Sequence, residues 1–161
     1  MGRCPRPAAV SQVVDVAFLS SVPHKAVSAA VIATASPALV LVDDEKAYTD
    51  VLSETLSALL EAPIVVFSRP EAALQALPQL EVAMIVTDYF MPQMNGLDFL
   101  RRALQLKPSI PCLMITGHTD ALGEAGLPEL PELKQVLAKP FPTRQLADAV
   151  QRYWPAERTG S

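Results

Sequence analysis

AMIVTDYFMPQMNGLDFL, residues 83–100, is an apolar run that ends on a carboxylate and turns through Met-Pro-x-Met-Asn-Gly into a second apolar pattern. Val82–Thr87 has the continuous apolar character of a strand covered on both faces. Asn95–Lys107 has the spacing of a helix, with Pro108 just beyond its end. Asp88 therefore stands at the carboxyl end of a buried strand. A carboxylate there costs free energy unless something compensates for it. The rest of the chain has to supply that compensation.

Outward from this stretch, strands and helices alternate. ALVLV (38–42), IVVF (64–67), PCLMIT (111–116) and QVLA (135–138) read as four further strands. Lys46–Leu60 carries apolar residues at 47, 48, 51, 52, 56, 59 and 60, with Lys46, Asp50, Glu54 and Ser57 on the other side, a helical period. Pro70–Leu77 is a short helix with proline in its first turn, and Thr143 is expected to cap a last helix running to about Tyr153. Between Thr116 and Gln135, Gly123, Gly126, Pro128 and Pro131 oppose a long regular helix, so a short or broken one is expected. Strands alternating with helices predict an α/β fold with a parallel sheet.

The 161 residues suit one domain, placed at 38–154, with tails at 1–37 and 155–161 and no room for a second domain. A net charge of −4 without a clustered basic stripe argues against nucleic acid as a partner. Cys4 and Cys112 lie far apart with no Cys-x-x-Cys or Cys/His cluster, which suits a reducing compartment and no structural zinc. Arg3 and Arg6 ahead of an apolar stretch faintly resemble a secretory signal, but Asp15 and Lys25 interrupt it. The longest uncharged run, Ala26–Val42, contains Ser28, Thr34, Ser36 and Pro37 and is shorter than the roughly 20 residues a bilayer requires. A cytoplasmic protein without membrane insertion is expected. Residues 1–37 would then be a loosely ordered tail, or a start assigned too far upstream.

In an open parallel sheet, ligands collect at the carboxyl ends of the strands. Those ends carry Asp43-Asp44-Glu45, Asp88, Thr116 and Lys139-Pro140. Each has an ordinary reading by itself: acids that cap a helix, a turn acid before Pro92, a β-branched strand residue, a solvated surface charge. Together, and in this order, they make a site of clustered acids with one hydroxyl and one ammonium. Such acids raise one another's pKa, and a divalent cation offsets the repulsion. Oxygen ligands without His or Cys suit Mg²⁺.

LVLVDDE, VTDYFMPQMNGLDFL, LMITGH and LAKPF resemble, in order, the motifs of the receiver domains of two-component response regulators, over residues 38–154. The resemblance implies a flavodoxin-like doubly wound sheet of five parallel strands in the order 2-1-3-4-5, with about five helices, the fourth short or irregular. It implies that Asp88 accepts a phosphoryl group from a phosphohistidine of a sensor histidine kinase or histidine phosphotransfer protein. Asp44, Asp88 and the backbone carbonyl of Phe90 would ligate Mg²⁺, with Asp43 acting through a metal-bound water. Lys139 would pair with Asp88 and then with the phosphoryl group, onto which Thr116 would swing its hydroxyl. A cis Lys139-Pro140 bond and a tight turn at Gly96 are implied as well. Phe90 and His118 would stand where access of hydrolytic water is controlled, although His118 also reads as an ordinary exposed loop residue. Activity would be limited to Mg²⁺-dependent self-phosphorylation and slow dephosphorylation. Output would run through protein contacts, with the first helix and the loop after the last strand facing the kinase, and a weak homodimer is compatible with this.

One departure is Val136, which stands where the family carries an aromatic three residues before the lysine. It leaves open a receiver-like scaffold that binds partners without phosphorylation. A Mg²⁺-dependent phosphohydrolase would want a second acid where Phe90 stands, and a flavin site would want a phosphate-cradling loop where the first acids stand.

Overall fold

The apolar runs become the strands of one parallel sheet in the computed structural model, which describes residues 13–15, 37–118, 120 and 129–155. In chain order these are β1 (Val13–Asp15), β2 (Ala38–Val42), β3 (Ile64–Phe67), β4 (Val82–Asp88), β5 (Cys112–Thr116) and β6 (Leu133–Ala138). Their spatial order is β1-β3-β2-β4-β5-β6, every pair parallel. From β3 to β6 this is the expected five-stranded 2-1-3-4-5 arrangement. The addition is β1, which comes from the segment expected to be a loose tail. It pairs with the outer edge of β3, Val13 opposite Ile64 and Asp15 opposite Val66.

Four α-helices occur among the described residues: α1 (Lys46–Leu59), α2 (Pro70–Ala76), α3 (Gly96–Leu106) and α4 (Thr143–Tyr153). A 3₁₀ turn, Leu77–Gln79, continues α2. The expected short or broken helix falls largely on residues 119 and 121–128, which lie outside the described residues. Among the described residues, no helix is long and apolar enough to cross a membrane. One boundary differs from expectation. Thr143 does not cap α4 but is its first helical residue, because the extended backbone ends at Pro142 and Gln145 N–H closes the first turn onto the Pro142 carbonyl at 2.8 Å.

The strands split the core between two faces, as their two-residue period requires. Val40 and Val42 of β2 pack with Phe67, Ala73, Phe99 and Leu100, under α2 and α3. Leu39 and Leu41 pack with Leu52, Leu56, Leu146 and Val150, under α1 and α4. Burial of each such leucine stabilises the fold by about 1.5–3 kcal/mol. Since every strand runs the same way, the carboxyl ends of β2, β4, β5 and β6 open on one edge.

Candidate functional site

Backbone pairing continues one residue past the strands at this edge. Asp43 N–H donates to the Phe67 carbonyl at 3.1 Å, Tyr89 N–H to Ile115 at 2.8 Å, and Lys139 N–H to Thr116 at 2.7 Å. The side chains that leave the sheet here are therefore held by the ladder itself. Asp43 and Asp88 are 2% and 6% exposed, and Lys139 Nζ reaches both, at 3.3 Å from Asp43 Oδ2 and 3.2 Å from Asp88 Oδ1. The other oxygen of Asp43 accepts the Glu45 N–H at 2.9 Å, so this acid also closes the turn into α1. Asp44 is exposed, and carboxylate oxygens of Asp43, Asp44 and Asp88 lie within 4.8 Å of one another.

Thr116 stands at the same edge with its hydroxyl occupied locally. It donates to the His118 carbonyl at 3.2 Å and accepts the His118 N–H at 3.1 Å. Phe90, 48% exposed, meets Tyr89 and His118 edge-on, with centroids 4.8 and 4.9 Å away. His118 is thus exposed, yet its ring also covers one side of Phe90. Both line an open cleft with the three aspartates, Glu45, Gly117 and Lys139.

Gly96 is required for a different reason than the expected turn. A Cβ at this position would run into the carbonyl oxygen of Asp88, and Gly96 N–H donates to the Tyr89 carbonyl at 2.8 Å. The left-handed residue of the loop is Gln93, at φ 71°. Lys139-Pro140 is cis, as expected. Val136 is half-buried and packs toward the α2/α3 side of the core.

Burial, followed by the charge of Asp43, pushes the Asp88 carboxyl up to about 6, with Lys139 working against the shift. Burial also raises Asp43, opposed by the Glu45 N–H and by Lys139. Lys139 is raised as well: burial alone would lower it, but the two carboxylates outweigh burial. One ammonium among three carboxylates leaves an excess of negative charge. An all-oxygen donor set of this span fits a hard divalent cation.

Tyr48 is a neighbour of the site that periodicity did not find. Lys139 Nζ lies 4.2 Å from its ring centroid. In the sequence it counts only as an apolar position of a helix, and no local signal connects residue 48 with residue 139.

A family model described as the response regulator receiver domain matches residues 39–151. Among curated proteins, the chain is similar to the C4-dicarboxylate transport transcriptional regulatory protein DctD of Rhizobium meliloti, 28% identical over 124 residues that cover 74% of this chain and 25% of that protein. It is also similar to the response regulator receiver protein CpdR of Brucella abortus, 29% identical over 86 residues, 53% of this chain and 71% of that one. The chain thus spans only a quarter of the length of DctD. Among solved structures, the signal receiver domain of an HD domain-containing protein from Pseudomonas fluorescens Pf-5 is 27% identical with a TM-score of 0.65, over 73% of this chain and 94% of that one. The response regulator protein TrrA of Thermotoga maritima, solved in complex with Mg²⁺-BeF, shares the fold at 20% identity and a TM-score of 0.64, over 73% and 98%.

Proposed function

We propose, because this chain belongs to the response regulator receiver domain family, that Asp88 accepts a phosphoryl group from a phosphohistidine. Receiver domains interact with histidine kinases or phosphotransfer proteins and bind Mg²⁺. The donor here is a sensor histidine kinase or histidine phosphotransfer protein in the cytoplasm. The observation that carries the reading is the meeting of Asp43, Asp44, Asp88 and Lys139 at one sheet edge, in an open cleft.

A carboxylate oxygen of Asp88 forms the new O–P bond while the P–N bond of the phosphohistidine breaks, and the leaving imidazole keeps the electron pair and takes a proton. Lys139 moves from Asp88 Oδ1 to a phosphoryl oxygen, a charge-assisted contact in both states. The Thr116 hydroxyl leaves its two bonds to the His118 backbone for another phosphoryl oxygen, so the loop after β5 follows the modification. The rings of Phe90 and His118 flank the product and govern the approach of water to it. Asp44, Asp88 and the Phe90 carbonyl would hold Mg²⁺, with Asp43 acting through a water. When bound, the ion offsets the carboxylate charge that repels an incoming phosphoryl group. Output runs through protein contacts of the phosphorylated domain, with no DNA binding by this domain.

The test is intact mass after incubation with a small phosphodonor, with and without Mg²⁺, on wild type and Asp88→Asn. A metal-dependent gain of one phosphoryl group, absent in the variant, is expected. A folded protein that binds Mg²⁺ but gains nothing, from the donor or from a histidine kinase, would support the phosphorylation-independent scaffold that Val136 leaves open.

A further inference from the structure

Lys139 has a third neighbour besides its two carboxylates. Tyr48, in the first turn of α1, lies under the ammonium with Nζ 4.2 Å from its ring centroid. The same ring meets Phe141 edge-on, centroids 6.4 Å apart and planes at 80°. Tyr48 therefore touches the residues on both sides of Pro140.

A lysine ammonium is strongly hydrated and sits on a flexible stem, so it holds one position only if its surroundings make that position better than water. The Lys139 side chain is 22% exposed, which leaves a route to solvent open. Two carboxylates attract it from one side. The negative face of an aromatic ring attracts it from another, without adding a further negative charge to a site already crowded with acids. An aliphatic residue at 48 would fill the space and attract nothing.

We propose that Tyr48 is a positioning residue for Lys139, its ring face holding the ammonium where it bridges Asp43 and Asp88 and can follow a phosphoryl oxygen. This inference rests on the reading of Asp88 as a phosphoryl acceptor. A role in packing alone is the alternative, because Tyr48 also lies against the α1/α4 side of the core with Phe141, Tyr153 and Trp154.

Two substitutions separate these. Tyr48→Phe keeps the ring face and loses the phenol, whereas Tyr48→Leu keeps apolar volume and loses the face. Tyr48→Met replaces the latter if it does not fold. In the metal-free protein, the ring current of residue 48 should shift the ε-methylene protons of Lys139 upfield in wild type and Tyr48→Phe, and the shift should vanish in Tyr48→Leu. In single-turnover phosphorylation by phosphoramidate with Mg²⁺, Tyr48→Leu should lower the maximal rate by roughly three- to tenfold, the size of a partly desolvated cation–π contact, with the half-saturating donor concentration unchanged. Tyr48→Phe should stay within about twofold of wild type. A Tyr48→Leu rate equal to wild type, or a Tyr48→Phe rate as low as that of Tyr48→Leu, overturns the inference. If wild type takes up no phosphoryl group, the acceptor reading falls. The Lys139 shift then decides alone, and its absence in wild type overturns the placement of the ammonium.

Discussion

Asp88 is where the fold opposes its own charge. Its carboxyl, ordinarily near 3.8, is pushed up to about 6 by burial and by Asp43. The folded chain therefore binds this proton more tightly than the unfolded chain. The contribution of Asp88 to stability is fully present below the ordinary value and is lost as pH rises through about 6. Asp88→Asn removes the buried charge. Without divalent metal, thermal unfolding should give the variant a higher Tm than wild type at about pH 8, by several degrees, and this advantage should fade toward about pH 4. Mg²⁺ should raise the Tm of wild type and narrow the gap at the higher pH. A variant that melts below wild type at about pH 8 would mean that Lys139 compensates more than burial costs. Gly96 is the second sensitive residue, because any side chain there displaces the Asp88 carbonyl. Gly96→Ala should lower the free energy of urea unfolding by about 2–3 kcal/mol and slow phosphorylation, since the displaced backbone carries the proposed acceptor.

At the scale of elements, α3 starts where it does because of Asn95. Its side-chain oxygen accepts the Asp98 N–H at 2.8 Å, and its amide donates back to Asp98 Oδ2 at 3.0 Å. The same helix buries Phe99, Leu100 and Ala103, so the cap and the core set its position together. Asn95→Ala should destabilise the chain by about 1–2 kcal/mol in chemical denaturation, and Asn95→Ser by less, because the hydroxyl still accepts from the first turn. By contrast, the N-cap residues of α1 and α4, Glu45 and Pro142, make no side-chain cap bond, although Asp43 accepts the Glu45 N–H at the turn into α1. Their starts are set by the chain leaving β2 and β6 and by burial of Leu52, Leu56, Leu146 and Val150.

At the scale of the molecule, the sheet has a covered edge. β3 is a four-residue strand without a charged side chain, and β1 satisfies its outer backbone. An uncovered, flat, apolar edge is a template for pairing with another chain. Every described member of the two core clusters lies at residue 38 or beyond, so a chain without residues 1–37 should keep its sheet and fold. It should also associate more strongly with concentration than the full chain, as measured by sedimentation velocity. A truncated chain that stays monomeric would mean that β1 is dispensable for guarding this edge.

Much of this architecture follows from the order of residues alone. The continuous apolar runs at 38–42 and 64–67 became β2 and β3 with the expected bounds. The Asp43, Asp44, Asp88 and Lys139 cluster was legible because parallel strands must bring their carboxyl ends to one edge. Periodicity and motif order are local properties, and they survive folding unchanged. The seat of Lys139 on the Tyr48 ring, the closure of the Thr116 hydroxyl on His118, the approach of Gly96 to the Asp88 carbonyl and the pairing of β1 with β3 were decided only in the tertiary structure. Each depends on how elements far apart in the chain, or loops between them, come to rest against one another. Residues 48 and 139 share no period and no turn, so only packing of α1 beside the end of β6 could bring that ring and that charge together.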